Sequence, residues 1–108
     1  MIKVTLRPIF WQGNSQAVVR GWPGVTKRQA GAELFRLQLG SDPIHWRPMK
    51  SVGPGVREIK IDEGGQFRVL YVTRRGEDIV VLHAFEKKAQ RTARSDVDLG
   101  KQRLMSSK

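Results

Sequence analysis

The sequence predicts an α+β domain, with helices packed on one side of a small antiparallel-rich sheet in the order β-α-α-β-β-β-α. Three observations carry this. Residues 23–39 are rich in Ala, Gln, Glu, Arg and Leu between a proline start and a glycine stop, the composition and punctuation of a helix. Residues 56–85 alternate or run apolar in three stretches separated by Glu63-Gly64-Gly65 and Arg75-Gly76-Glu77-Asp78, which are hairpin signals. Ser95 with Asp98 three residues on resembles a capping box, opening a short last helix that runs to about Met105.

Each element has its own justification. Thr5 to Trp11 favours β structure but is broken by Pro8, which places an edge strand near residues 8–11. Gly13-Asn14-Ser15 reads as a turn and N-cap, and Gln16 to Arg20 as a short helix that Trp22-Pro23-Gly24 ends. The second helix runs from about Pro23 to Leu39, with Gly40 as its stop. At about 100° per residue, Ala30, Leu34 and Leu37 share one stripe, and Ala32, Phe35 and Leu39 a nearly opposite one. A helix apolar on two sides is buried on both, or waits for a partner.

Residues 41–55 hold Pro43, Pro48, Gly53, Pro54 and Gly55 and read as an ordered loop. In the strand from Val56 to Ile61, Arg57, Ile59 and Ile61 share one face, and Glu58 and Lys60 the other. In Phe67 to Thr73, Phe67, Val69 and Tyr71 oppose Arg68, Leu70 and Val72. Ile79 to Phe85 is apolar on both faces, as a central strand is.

Composition bounds the function. Twenty Lys and Arg against ten Asp and Glu in 108 residues give a net charge of +10. The length suits one domain over 1–108, able to bury roughly two-thirds of its unfolded surface. Absence of Cys removes disulfide frameworks, thiolate nucleophiles and zinc fingers. The longest apolar run, Ile79 to Leu82, falls far short of the roughly 20 residues that span a bilayer. Met1 to Phe10 lacks the apolar centre of a secretory leader, so a cytoplasmic protein is expected. The excess charge is spread, +6 over residues 1–54 and +4 over 55–108, which is not a basic tail. A basic surface serves solubility in many domains. Two cations per anion on so small a body points instead to a polyanion, and nucleic acid is the expected partner.

Candidate chemistry gathers on the strands. Arg68 interrupts an apolar strand, where it is either an edge arginine that snorkels or pairs with Glu58 across the hairpin, or a site residue. Lys87 and Lys88 follow the last strand directly, with Arg91 and Arg94 just beyond. Together Lys60, Arg68 and Lys87 are suited to hold and polarise a phosphodiester. Guanidinium neutralises charge on phosphate oxygens, and an amine moves protons once burial and nearby cations lower its pKa. His83, between Leu82 and Ala84, reads as a satisfied core histidine rather than a catalytic one, and His45 as a loop residue able to stack on a base. Trp11 and Trp22 read as core. No P-loop, Rossmann glycine pattern or nucleophile elbow is present.

Four blocks make a resemblance: Trp46-Arg47-Pro48-Met49-Lys50, Gly53-Pro54-Gly55-Val56-Arg57-Glu58-Ile59, Phe67-Arg68-Val69-Leu70-Tyr71 and Leu82-His83-Ala84-Phe85-Glu86-Lys87-Lys88. In this order they resemble the phage-derived, HigB-like branch of the RelE/HigB toxin superfamily, from about Pro8 to Arg103. The resemblance implies a RelE-like fold and a type II toxin–antitoxin toxin. It implies a ribosome-dependent endoribonuclease that cuts mRNA by 2′-OH attack, needing neither metal nor cofactor. A helix-turn-helix antitoxin is the implied partner. Carried over, the family's strand arginine falls on Arg68, the preceding basic residue on Lys60, and the basic residues after the last strand on Lys87 and Lys88. Lys50, Arg57, Lys88, Arg91 and Arg94 complete the expected RNA-binding set. The sequence departs from the better-known toxins near its end, where Val97, Asp98 and Leu99 replace the usual Tyr or His. The competing reading is a non-catalytic basic module that binds nucleic acid or a protein partner on the same fold.

Overall fold

A computed structural model describes residues 5–107, so Met1 to Val4, part of the segment read for a leader, lie outside the described residues, as does Lys108. The elements are β1 (Ile9–Trp11), α1 (Ser15–Arg20), α2 (Gly24–Gln38), β2 (Trp46–Pro48), β3 (Arg57–Ile61), β4 (Phe67–Arg74), β5 (Asp78–Glu86) and α3 (Arg94–Ser106). One five-stranded sheet has the order β1-β5-β4-β3-β2. β1 runs parallel to β5, and every other pairing is antiparallel. The predicted α+β class holds, with three corrections.

The first concerns the loop 41–55, which contains the edge strand β2. Trp46, Arg47 and Pro48 pair with Ile59, Glu58 and Arg57. Three residues ending in proline give no alternation to read, and the hydrogen bonds come from β3. Ile79 to Phe85 is accordingly interior without being the middle strand, a position that β4 holds.

The helices, secondly, cover both faces of the sheet. Val19 of α1 and Ala30, Leu34 and Leu37 of α2 bury against Ile59, Ile61, Phe67, Val69, Tyr71, Ile79 and Val81. On the other face Val97 and Leu104 of α3 pack over Met49, Val52, Leu70, Val72 and Leu82. The β3 and β4 residues thus divide by parity as alternation demands, and β5 is apolar on both faces because each face carries helix.

No capping box forms, which is the third correction. α3 starts at Arg94 after Ala93, with no side-chain cap. Asp98 lies 3.8 Å from Arg94, one turn before it. Asp96 bonds instead to His83, and tertiary contacts outweigh the local signal. Asn14 likewise caps nothing, because its side-chain oxygen accepts from Arg103 Nη2 at 2.9 Å.

Gly100 lets α3 approach the sheet. A Cβ there would lie 3.1 Å from both Leu70 Cδ1 and Val52 Cγ1. Gly100→Val is therefore expected to lower stability by about 1–3 kcal/mol through overpacking, read as a fall in the urea midpoint. Residues 75–77 connect β4 to β5, and Arg75 at φ 53° and Gly76 at φ 75° are the central pair of a turn that Glu77 N–H closes on Arg74 O at 3.0 Å.

Candidate active site

β-pairing assembles the site. Register sets Arg47, Glu58 and Leu70 side by side across β2, β3 and β4, and Lys60, Arg68 and Phe85 across β3, β4 and β5. These residues share the α3 face of the sheet, with Leu70 and Phe85 in the core that α3 covers. Lys87 follows two residues after Phe85, and its backbone N–H donates to Gln66 O at 2.6 Å. The three expected catalytic residues, Lys60, Arg68 and Lys87, thus come to one region.

At its centre lies a buried ion network. The Glu58 side chain is 0% exposed and accepts from Arg47 Nε at 2.7 Å. Arg68 Nε lies 3.6 Å from the same oxygen, and Arg68 Nη1 donates to Asp62 Oδ1 at 2.7 Å and to Phe67 O at 2.9 Å. Arg68 is only 3% exposed, so it is a buried, paired arginine of the middle strand rather than an edge residue. Among the described residues Glu58 Oε2 and Arg68 Nε have no hydrogen-bond partner. Tyr71 Oη, Arg74 Nε and Thr92 Oγ1 are buried without partners too, so it is the shared carboxylate and not the orphaned atoms that sets this network apart.

Lys87 is the proton-transfer candidate. Its pKa is lowered by burial first, then by the charges of Arg47 and Arg68 and, more weakly, Lys60, against an opposing pull from Glu58. An amine surrounded by guanidinium groups gives up its proton more readily than a free one.

The expected RNA-binding residues divide. Lys50 and Arg91 line a groove of about 410 Å³ with Arg47, Thr92 and Val97, next to the network. Lys88 is exposed beside Lys87 and reaches Glu86 at 3.1 Å. Arg94 is exposed at the start of α3. Arg57 is set apart on the opposite face of the sheet. Its guanidinium stacks over Trp46 at 3.9 Å and pairs with Asp42 at 2.9 Å. Tyr71 is buried on that side too, and burial pushes its phenol above the ordinary range. No group of three or more His, Asp or Glu is placed to hold a metal among the described residues.

Two participants escaped sequence reasoning. Arg47 sat in a stretch read as loop, although the Trp46-Arg47-Pro48 block held the signal. Glu58 read as a neighbour rather than the centre. His83 answers the core reading: Nε2 lies 2.7 Å from Asp96 Oδ1 and Nδ1 3.4 Å from Arg103 Nη1. A break in register brings it there. Leu70 pairs with His83 but Tyr71 with Val81, so Leu82 is the extra residue of a bulge that turns His83 toward α3.

Comparison with known families gives a match over residues 17–105 to the family described as Phage derived protein Gp49-like (DUF891). The chain belongs to that phage-derived family. Among curated proteins no match was found. The family agrees with the phage-derived character implied by the four sequence blocks, and its span takes in every residue of the Glu58 network.

Proposed function

We propose that this Gp49-like chain is the toxin of a type II toxin–antitoxin pair and cleaves mRNA on the ribosome. The observation that carries the reading is the cationic network of Arg47, Lys60, Arg68 and Lys87 around the buried Glu58, in which Arg47 and the two lysines are partly exposed and Arg68 is buried. Its chemistry suits a phosphodiester. The ribose 2′-oxygen attacks the adjacent phosphorus and the bond to the 5′-oxygen breaks, leaving a 2′,3′-cyclic phosphate and a 5′-hydroxyl. Lys87, its pKa lowered, takes the 2′-hydroxyl proton, and the Lys60 ammonium gives one to the departing oxygen. Arg47 and Arg68 spread positive potential under the phosphate. The phosphate displaces the Asp62 carboxylate, whose side chain is 56% exposed, from Arg68 Nη1. Lys50, Lys88, Arg91 and Arg94 extend the positive track along flanking RNA, and a helix-turn-helix antitoxin neutralises the toxin.

Arg47 sets the pH response. Arg47→Ala removes the leading charge that lowers the Lys87 pKa, so the neutral amine forms only at higher pH. The acid limb of the cleavage profile is expected to move to higher pH in this variant, as measured by single-turnover cleavage across pH. An unmoved limb assigns the base elsewhere.

A second reading has one observation behind it: Arg68 is sequestered by Asp62, as in a fold-stabilising pair. A non-catalytic binding module on this fold follows from it. Inducible expression in a bacterium separates the two. Growth arrest that persists in Lys101→Ala but vanishes in Lys60→Met supports cleavage. Unchanged growth with a folded, abundant wild type supports binding alone.

A further inference from the structure

The outward stripe of α2 is apolar, cationic at its borders and uncovered among the described residues. Val25 is 49% exposed, Phe35 48% and Leu39 50%, with Ala32 exposed between them. Positions 25, 28, 32, 35 and 39 follow the alternating three- and four-residue spacing of a coiled-coil seam, and Arg28 is the one polar residue in it. The opposite stripe, Ala30, Leu34 and Leu37, already forms the core, so the fold does not need this one.

Gly31 adds an independent sign. A mid-helix glycine costs about 1 kcal/mol against alanine. A Cβ at Gly31 would meet nothing within 4 Å, so no contact inside the chain requires its absence. It lies beside Ala32 at the border of the stripe, where a missing side chain lets a second backbone come close.

We propose that this stripe docks an acidic amphipathic helix of a partner protein. Charge selects the occupant. Lys27, Arg28 and Arg36 stand in or beside the stripe, and a second copy of this chain would set these cations against their equals on a body of net charge +10. Glutamate flanking an apolar seam meets them favourably. The inference deepens the antitoxin half of the reading above, and it rests on the stripe, which lies on the other side of the sheet from the cationic network.

The test uses the full chain and a synthetic helix of about 21 residues, with leucine at the seam and glutamate beside it. A peptide with lysine in place of glutamate is the control. Fluorescence anisotropy is expected to show the acidic peptide bound and the basic one not. Phe35→Ser and Leu39→Ser should each weaken binding at least tenfold, and Lys87→Ala, in the cationic network on the other side of the sheet, should leave it unchanged. Gly31→Ala should raise the melting temperature of the free chain and still weaken the peptide, a split that a merely structural glycine would not produce. Loss of binding in Lys87→Ala to the same degree, or no binding of the acidic peptide, overturns the proposal. So does a wild-type dimer that Phe35→Ser converts to monomer. Growth arrest without peptide binding sinks the docking surface alone, and peptide binding without arrest sinks the toxin reading alone.

Discussion

Replacing Lys87 by methionine is expected to lower RNA cleavage by about 10²- to 10⁴-fold, the usual worth of a general base, with the fold intact. The fold survives because the structural role of this position is its backbone N–H, bonded to Gln66 O, and methionine keeps that bond. Lys87→Arg separates the two ways the amine could act. Arginine keeps the charge but does not give up its proton near neutrality, so it rescues an electrostatic role and fails to rescue a base. The same shift has a stability signature. The folded pKa lies below the ordinary 10.5, so between the two values the unfolded chain binds more protons and stability rises with pH. Urea unfolding across that alkaline window should lose this rise in Lys87→Met.

Arg68→Ala is expected to cost about 3–5 kcal/mol, the penalty for removing one partner of a buried ion pair. Against a total stability of about 5–15 kcal/mol this leaves a marginal protein. Glu58, 0% exposed, would keep Arg47 as its one direct ion-pair partner among the described residues, and Asp62 would lose its donor. Inactivity of Arg68→Ala therefore says little about catalysis. Arg68→Lys, which keeps the charge, is the informative variant for activity. Glu58→Gln combined with Arg68→Met should be less destabilised than the two single losses together, because neither charge is then left alone. A double-variant loss equal to the sum of the two single losses, by urea titration, would mean that the network contributes no coupling.

What the sequence made legible follows a physical division. Strands β3 and β4 were readable because each has one parity on each core, so Ile59 and Glu58, or Val69 and Arg68, separate by alternation alone. Helix α2 was readable from its proline and glycine punctuation, and both its stripes were visible. β2 was not, since Trp46–Pro48 owes its extended form to pairing with Arg57–Ile61 rather than to its own residues. Placement of α3 on the far face escaped for a related reason. Val97, Gly100 and Leu104 give a thin apolar seam, and only the burial of Leu70, Val72 and Leu82 shows where it lies. The bulge at Leu82 is invisible in a strand apolar on both faces, because slipping one residue exchanges one apolar side chain for another. Lys60, Arg68 and Lys87 could be named in advance, but the pivot on Glu58 could not. Which charges share one carboxylate is a property of register across three strands.

The most direct test of the central claim is the chemistry of RNA ends in cells expressing the wild-type chain beside Lys87→Met. Mapped 5′ ends should appear within translated frames and carry hydroxyl groups, their upstream partners should end in 2′,3′-cyclic phosphate, and the variant should produce neither. Intact mRNA in cells full of folded wild-type protein, or cuts that persist undiminished in Lys87→Met, would contradict it.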